Sequence, residues 1–372
     1  MSVVISGSGL YTPPNSISND ELVTTFNQYV EEFNQENQSA IDKGEIEALK
    51  PSSTEFIEKA SGIKSRYVMY KEGMLDTKIM RPILPEREND ALSIQAEMAV
   101  AAAKQAIESA NKKPEDIDLI IVACAYTQRA YPAIAIEVQQ ALGAQGWAFD
   151  MLVACSAATF GIMNAANAVS SGTAKTALVI SPEFTSPQIN LRDRDSHFIF
   201  GDVATAVVIE NQETANAEHV FKLLTSKPIT QFSNNIRSNF GHVNMCTPET
   251  MFDADKMFVQ QGRKVFKEVL PMVCHLIEEQ MAAANVEASD LKRLFLHQAN
   301  INMNTFVAKK VLGRDPIDNE APIILNEFAN TAAAGSIIAF HRFHDDMQAG
   351  DKAIICSFGA GYSAGCIVIE HL

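Results

Sequence analysis

The sequence has little positive charge, no long apolar run and no paired-cysteine motif. Its 45 acidic and 30 basic residues give a net charge of −15, which argues against a nucleic-acid groove or an anionic membrane surface as the main partner. Apolar runs such as 119–125 are strand-sized and too short to cross a bilayer. The first residues lack the basic and apolar segments of a secretory signal. We therefore expect a cytoplasmic protein without membrane contact.

Cysteine is scarce and scattered. The six cysteines stand at positions 124, 155, 246, 274, 356 and 366. With no CxxC pair among them, we expect free thiols in place of a disulfide or zinc framework. His341 and His344 are three apart on a predicted helix, but no further ligand completes a metal-site spacing, so surface or helix-end histidines are the simpler interpretation. We expect no resident metal.

A glycine-rich stretch near the end of the chain has a spacing superficially similar to that of a dinucleotide-binding loop. Gly359, Gly361 and Gly365 form GxGxxxG, but too little chain follows for the helix and acidic residue that such a site needs. A turn that brings a backbone N–H close to a reacting carbonyl is the better interpretation. We expect no cofactor.

Length and patterning predict two similar packed halves. A chain of 372 residues exceeds the usual size of a single core. Apolar strands alternate with amphipathic helices, and the pattern starts again near residue 221, which predicts an α/β fold with a mainly parallel sheet. We divide the chain into residues 1–211 and 212–372. The same patterning predicts a helix over 258–284 and a strand at 323–325.

The most informative stretch surrounds Cys155. The apolar run 151–154 predicts a buried strand, and small residues at helical spacing follow it up to Gly172. A cysteine at this junction faces the positive end of a helix, which favours the thiolate. A buried structural cysteine is the alternative, and it is the commoner case for a cysteine considered alone.

Two stretches in the second half carry matching chemistry. His297 ends a short predicted strand, and Asn330 precedes a helix of small residues. Taken alone, each has an ordinary structural interpretation, as a satisfied histidine and as a helix N-cap. With Cys155 they form a set suited to attack on a thioester, in which imidazole and carboxamide donate to a developing oxyanion. A cysteine peptidase uses a similar trio with the histidine as base, and spacing alone does not separate the two.

The ordered motifs resemble those of the ketoacyl synthase III family of the thiolase superfamily, over essentially the whole chain. The matching segments are the nucleophile strand and helix at 149–156, FGD at 200–202, GxxVFK at 262–267, HQAN at 297–300 and an NTSA-type motif at 330–333. The resemblance implies a five-layered αβαβα thiolase-like fold made of two similar halves, and a homodimer.

The resemblance also implies a decarboxylating Claisen condensation without a cofactor. An acyl-CoA primer would acylate Cys155, with the backbone N–H groups of Cys155 and Ala360 holding the oxyanion. Malonyl-acyl carrier protein would then enter, and His297 and Asn330 would stabilise the enolate left by loss of carbon dioxide. The product would be a 3-oxoacyl-acyl carrier protein of fatty acid biosynthesis.

Further contacts follow from the resemblance. It implies that coenzyme A binds to Phe56, Lys59 and Arg194. The acyl pocket would contain Phe200, Phe358 and Tyr131, where Tyr131 stands in the position of an aromatic residue that closes the partner's pocket. Exposed lysines would dock the acidic carrier protein, at positions Lys267, Lys309 and Lys310.

The sequence departs from the family pattern at a few places. Ala329 replaces the glycine before the asparagine, Ala360 the middle glycine of the final loop, and Lys59 an arginine that contacts coenzyme A. Asn302 stands where many relatives have a docking arginine. The segments 27–53 and 69–89 are longer than in the short housekeeping enzymes, and they favour a medium-chain primer.

Other activities are compatible with parts of the pattern. An enzyme could use acyl-Cys155 to acylate a hydroxyl or an amine, or it could condense in a secondary-metabolite pathway. A catalytically silent subunit would be expected to lack Cys155, His297 or Asn330, and all three are present.

Overall fold

A computed structural model describes residues 2–238, 247–250 and 253–372, so Cys246 lies outside the described part. Nine strands form one mixed sheet in the order β11-β12-β13-β8-β1-β7-β6-β4-β5, and β2–β3 and β9–β10 form two small ribbons. The strands are β1 Val3–Tyr11, β2 Asn15–Ser18, β3 Ser65–Val68, β4 Leu119–Cys124, β5 Trp147–Leu152, β6 Thr176–Glu183, β7 Val203–Asn211, β8 Phe221–Ser233, β9 Ile236–Ser238, β10 Phe258–Gln260, β11 Leu291–Leu296, β12 Lys352–Gly359 and β13 Gly361–His371.

Ten helices accompany these strands in the described ranges. They are α1 Asn19–Glu36, α2 Gln38–Asp42, α3 Thr54–Ser61, α4 Ile94–Ser109, α5 Ile134–Leu142, α6 Ala157–Ser170, α7 Gly262–Ala284, α8 Ile301–Leu312, α9 Leu325–Phe328 and α10 Gly335–Phe343. Local chemistry sets many of their ends. Ser18 and Glu21 form a reciprocal capping box at the start of α1, and Gly62 ends α3 at φ 85°. Across these ranges, no helix combines the length and apolar character that a membrane crossing requires.

The elements stack in five layers, as expected. Helices α4 and α5 cover the outer face of β4, β6 and β7, and α7 and α8 cover the outer face of β11, β12 and β13. Helices α6 and α10 form the central layer between them. Alternation along the strands shows this: Leu119, Ile121 and Ala123 of β4 face the central layer, whereas Ile120 and Val122 face α4 and α5. Strands of the mixed α/β fold are therefore apolar on both faces, because one face packs on the central helices and the other on an outer layer.

Strand pairing repeats along the chain. In the first group, β1 is antiparallel to β7, β7 is antiparallel to β6, and β6 is parallel to β4. In the second group, β8, β13, β12 and β11 repeat this order of antiparallel, antiparallel and parallel pairs. A short antiparallel contact between β1 and β8 joins the groups. Five of the eight described strand pairs in this sheet are antiparallel, so the predicted mainly parallel sheet is wrong. The central helices α6 and α10 therefore hold equivalent places in the two groups.

Three expected elements differ in the structure. The strand predicted at 151–154 is β5, Trp147–Leu152, a half-exposed edge strand and not a buried one. The predicted strand at 323–325 is wrong: Ile323 and Ile324 lie in a loop and α9 begins at Leu325, an ambiguity inherent to short apolar runs. The helix expected over 258–284 starts at Gly262, because residues 258–260 pair with β9 as β10.

Other expectations agree with the structure. The five described cysteines have free thiols: Cys124, Cys155, Cys274, Cys356 and Cys366. The segment 27–53 continues α1 and adds α2 on the surface. It is tied to the segment 69–89 by Glu32, which accepts hydrogen bonds from Thr77 and Lys78.

Candidate active site

Cys155 lies on a sharp turn between an edge strand and a central helix. Strand β5 ends at Leu152, a 3-10 turn covers Ala154–Ser156, and α6 follows from Ala157. Ala154 has φ 45°, a left-handed conformation that costs a non-glycine residue on the order of 1 kcal/mol. The cost is met by the buried small residues of α6, which hold the turn against the sheet.

The second half has a turn with the same backbone course. Thr331 and Val153 share ψ values of 35° and 37°, and Ala332 has φ 47°, matching Ala154. A 3-10 turn, Ala332–Ala334, then leads into α10. This turn packs directly against the turn that carries Cys155. The predicted Cys155 and Asn330 regions therefore meet at the centre of the molecule.

The Cys155 thiol is surrounded by backbone. The backbone N–H groups of Cys155 and Ala360, the two predicted oxyanion donors, lie close enough to the sulfur to lower the pKa of the thiol in part. Gly359 lies beside it, and a Cβ placed there would be 2.6 Å from Cys155 Cβ and 3.1 Å from Sγ. Only a glycine leaves room for the nucleophile at this point.

The expected activation of the thiol is not what the resting structure shows. Burial, with the nearby Glu183 carboxyl, raises the pKa of Cys155 to about 12, although the two backbone N–H groups lower it in part. Desolvation outweighs the favourable field of the α6 terminus. The resting nucleophile is therefore a thiol, which must lose its proton as it reacts.

His297 is buried directly after β11. Its backbone N–H donates to the Cys356 carbonyl over 2.8 Å, and its imidazole ring packs edge-on against the Phe358 ring, with 5.2 Å between the ring centres. Burial lowers its pKa to about 4, partly opposed by a backbone hydrogen bond with Ala332. Nδ1 has no hydrogen-bond partner among the described residues. The imidazole is neutral at pH 7 and thus can donate one hydrogen bond to a ligand without carrying charge.

Asn330 is anchored at both its backbone and its amide. Its N–H donates to Ile199 over 2.9 Å, its carbonyl accepts from Gly201 over 3.1 Å, and its Oδ1 accepts from Ala332 N–H over 2.9 Å. With Oδ1 held in this way, the side-chain NH2 group is the part left to donate. The Ala332 backbone also lies beside the His297 ring, so one residue is close to both predicted enolate donors.

Ala329, which replaces the glycine of the family pattern, has an unusual backbone conformation. Its backbone has φ 57° and ψ −159°, a region that is essentially restricted to glycine. The glycine that relatives place before the asparagine suits this conformation, whereas this chain holds alanine in it. Neighbouring hydrogen bonds of Asn330 and full burial of Ala329 keep the segment in place.

Glu183 is a site residue that sequence reasoning missed. It lies at the end of β6, fully buried, and accepts from Ala125 N–H at 3.0 Å and Ala333 N–H at 3.2 Å. Burial raises its pKa to about 8, so the carboxyl is largely protonated at neutral pH. Its signal was available, since a glutamate that ends an apolar strand predicts a carboxyl at the sheet's functional edge.

Two of the residues predicted to bind coenzyme A are in contact. The Arg194 guanidinium lies 4.0 Å from the centre of the Phe56 ring. Arg194 Nε also donates to the Pro51 carbonyl over 2.8 Å. Lys59 is exposed on the same helix as Phe56. Phe56 and Arg194 are half-buried, so the predicted coenzyme A contacts lie at the surface.

The predicted acyl-pocket residues lie in separate places. Phe200 is bridged to Asn330 and meets Phe258 edge-on at 4.7 Å, and Phe358 packs against His297. Tyr131 is 85% exposed and contacts neither. Phe200 belongs to an apolar cluster with residues of both long segments, namely Val30, Met74 and Met80.

The predicted docking lysines share one exposed surface. Lys267 is on α7, Lys309 and Lys310 are on the adjacent α8, and Lys309 pairs with Asp315 at 3.0 Å. Arg263 and Lys264 are exposed in the first turn of α7, where positive charge opposes the helix dipole. Basic residues retained at an unfavourable helix position indicate a role outside folding.

Comparisons with known proteins agree with this geometry. Residues 149–227 match the model described as 3-oxoacyl-[acyl-carrier-protein] synthase III, and 281–371 match its C-terminal model. Beta-ketodecanoyl-[acyl-carrier-protein] synthase of Pseudomonas aeruginosa is 53% identical over 93% of this chain and 99% of that protein. Beta-ketoacyl-[acyl-carrier-protein] synthase III of Agrobacterium fabrum is 31% identical over 88% of this chain and 93% of its own length.

A solved structure has the same fold. The 3-oxoacyl-[acyl-carrier-protein] synthase III of Aquifex aeolicus superposes with a TM-score of 0.76 over 99% of both chains, at 24% identity. The likeness in structure covers every layer of the molecule.

Proposed function

Because the chain belongs to the 3-oxoacyl-[acyl-carrier-protein] synthase III family, we propose that it condenses an acyl-CoA primer with malonyl-acyl carrier protein. The observation that carries the proposal is the packing of two like turns, which joins a cysteine with two N–H donors to a neutral histidine and an anchored asparagine. Such a site serves an acyl-thioester step and an enolate step in turn. The pathway is fatty acid biosynthesis in the cytoplasm.

The first step transfers the acyl group to Cys155. The sulfur attacks the thioester carbonyl, whose oxygen becomes an oxyanion held by the N–H groups of Cys155 and Ala360. The new sulfur–carbon bond forms as the bond to coenzyme A breaks. The thiol proton leaves with the coenzyme A thiolate, which balances the exchange and removes any need for a thiolate in the resting enzyme.

The second step uses the other turn. Loss of carbon dioxide from the malonyl group leaves an enolate, and its oxygen accepts from His297 and from the NH2 group of Asn330. A neutral histidine suits this role. Because the pKa of His297 is low, the imidazole is uncharged and can donate a hydrogen bond. The enolate carbon attacks acyl-Cys155, the sulfur–carbon bond breaks, and the Cys155 thiolate takes up a proton.

A medium-chain primer, of octanoyl length, fits this chain best. The Pseudomonas aeruginosa relative is named for a ketodecanoyl product, and a malonyl condensation lengthens its primer by two carbons. In this chain, both long segments add apolar side chains around Phe200, beside Asn330. Apolar surface next to the second turn favours an alkyl chain over an acetyl group.

The assembly and the docking surface complete the proposal. Strand β5 is the free edge of the sheet, with Trp147 and Leu152 exposed along it and Tyr131 exposed beside α5. A second copy paired along β5 would cover these side chains and bring Tyr131 to the partner's pocket. The surface of Lys267, Lys309 and Lys310 would receive the acidic carrier protein, and the Phe56–Arg194 contact would open to admit the adenine of coenzyme A.

An acyl-CoA panel tests the function. Intact-mass measurement should show a covalent acyl adduct, strongest near octanoyl, that is lost in Cys155→Ala, and carbon dioxide release from malonyl-acyl carrier protein should follow. Adducts that persist in Cys155→Ala would overturn the mechanism. Acyl transfer to a hydroxyl or amine without carbon dioxide release would overturn the condensation.

A charge reversal tests the docking surface separately. Lys310→Glu should raise the KM for malonyl-acyl carrier protein about tenfold and leave acylation by acyl-CoA unchanged. Lys104→Glu makes the same charge change on α4 in the opposite outer layer and should alter neither value. Equal effects of the two variants would contradict the assigned docking surface.

A further inference from the structure

Three of the chain's eight histidines line one cavity away from the catalytic turns, and a fourth, His371, lies beside them. The cavity, of about 280 Å³, lies where α10 ends, at the opposite end of that helix from Asn330. His341 and His344 come from α10 and its C-cap, His219 precedes β8, and His371 ends β13. The sequence separation of these elements hides the cluster, because only His341 and His344 are near each other in the chain.

The donor atoms of this cluster are close enough to share an ion. Ligand atoms of His219, His344 and Asp345 all lie within 4.8 Å of one another. Nδ1 of His344 is 3.1 Å from Oδ1 of Asp345. That separation is near the roughly 3.3 Å between two ligand atoms of a tetrahedral zinc ion with bonds of about 2.0 Å.

We propose that His219, His344 and Asp345 form a binding site for a divalent transition-metal ion of the zinc type, with water completing the coordination. Two imidazoles and one carboxylate are donors that zinc accepts readily, whereas magnesium and calcium prefer oxygen-only sites. The proposed site lies at the C-terminal end of α10, away from Cys155, and takes no part in the condensation.

Neighbouring groups orient the imidazoles as metal ligands require. Nε2 of His344 is 3.4 Å from Ser8 Oγ, and that hydroxyl also lies 2.9 Å from His341 Nδ1. Nδ1 of His219 is 3.2 Å from His371 Nε2. When one ring nitrogen binds a metal, the other needs such a partner to set the ring's orientation and tautomer.

Burial and access are also suitable. His344 is largely buried against the Phe221 and Phe340 rings, which fix its position at 5.5 and 4.9 Å. Asp345 is exposed and leaves one side of the site open to solvent, which provides an entry path.

A bound ion would connect distant parts of the chain. His219 stands at the start of the second group of strands, and His344 and Asp345 follow the central helix α10. A metal that binds only the folded protein stabilises it. We therefore expect added zinc to raise the melting temperature.

The test uses the full chain without a histidine tag, stripped of metal, in a Cys155→Ser background so that the catalytic thiol cannot bind the probe. Co²⁺ should give a visible absorption band that titrates to a single ion per chain, and Zn²⁺ should displace it. His344→Gln and the exposed Asp345→Asn should each weaken Zn²⁺ binding at least about tenfold, measured by competition with a chromophoric chelator.

His275→Gln, on the exposed face of α7, is the matched control and should bind as the parent does. If His344→Gln fails to fold, Asp345→Asn still decides, because its side chain lies in solvent. The proposal is overturned if the parent binds no ion, or if Asp345→Asn and His275→Gln bind Zn²⁺ equally well. Neither result bears on acylation of Cys155, which is measured separately.

Discussion

The turns at 153–157 and 331–335 have nearly the same backbone conformation but differ in the partners of their backbone N–H groups. Ala154 and Ala332 occupy the same left-handed position, and the following residues are Cys155 and Ala333. The N–H of Ala333 donates to the buried Glu183 carboxyl, whereas the N–H of Cys155 lies beside the thiol of its own side chain. In one turn the exposed donor is consumed by the protein, and in the other it is kept for a ligand.

This difference shows how a repeated unit acquires two roles. A strained strand-to-helix turn presents backbone N–H groups that need partners. Where a carboxyl satisfies them, the turn becomes a rigid support, and its polar side chain, Asn330, does the binding. Where no described side chain satisfies them, the turn is free to serve as the proposed oxyanion site, and it carries Cys155. Variants that affect one turn should therefore leave the other step intact.

The largest effect is expected from removing the nucleophile. Cys155→Ala should abolish the acyl adduct and lower condensation by at least about 10³-fold, because the acyl carrier of the reaction is lost. Carbon dioxide release from malonyl-acyl carrier protein should persist, since His297 and Asn330 lie on the other side. Intact mass measures acylation, and carbon dioxide release measures decarboxylation. Loss of both in Cys155→Ala would show that the two turns do not act separately.

The reverse separation is expected from Asn330→Ala. Without the carboxamide donor, carbon dioxide release and condensation should fall about 10²- to 10³-fold, while acylation of Cys155 stays close to that of the parent. Asn164→Ala, an exposed asparagine on α6, is the control and should change neither step. Loss of the acyl adduct in Asn330→Ala would show that the two turns do not act independently.

A smaller effect is expected from filling the space beside the nucleophile. In Gly359→Ala the added Cβ would lie 2.6 Å from Cys155 Cβ, so the cysteine must shift and acylation should slow by about 10- to 100-fold. Gly262→Ala adds a Cβ with nothing within 4 Å and should acylate normally. Single-turnover acylation with octanoyl-CoA measures both, and equal rates would show that Cys155 tolerates displacement.

The smallest effect on rate, and the clearest on pH dependence, is expected from Glu183→Gln. The folded-state pKa of Glu183, about 8, lies above its ordinary value of 4.5, so the folded protein holds a proton that the unfolded chain has lost. The resulting penalty is absent at acidic pH and grows as pH rises from about 4.5 to 8. Stability of the parent should fall over that window, and Glu183→Gln should remove this part of the slope.

Melting temperature against pH checks this, with the exposed Glu115→Gln as control. Acylation in Glu183→Gln should change only a few-fold, because the amide oxygen can still accept from Ala333. A slope unchanged from the parent would mean that Glu183 does not carry the buried proton.

Several parts of the fold and site follow from local pattern. The capping box at Ser18, the glycine that ends α3 and the two-sided apolar strand β4 are local signals, and the structure has each of them. The junction at Cys155 was also predictable, since small residues directly after an apolar run predict a strand that turns into a closely packed helix. Motif order along the chain was sufficient to indicate the family.

Other parts depended on distant contacts. The strand expected at 323–325 is instead a loop that enters α9 at Leu325, because periodicity over so few residues does not distinguish a strand from another buried segment. Burial of the β5 residues was misjudged because edge and centre strands differ in their neighbours, not in their own sequence. The histidine cluster was missed because its members lie on three elements.

The sequence by itself determined the chemical groups of the site, the fold class and the positions of Cys155 and His297 just after strands, because residue type and period are local properties. Tertiary structure alone decided what state those groups are in. The thiol of Cys155 is protonated and the imidazole of His297 is neutral because both are desolvated, and desolvation depends on every layer packed around them. It also decided, through Glu183, which of two like turns keeps its N–H donor for a substrate.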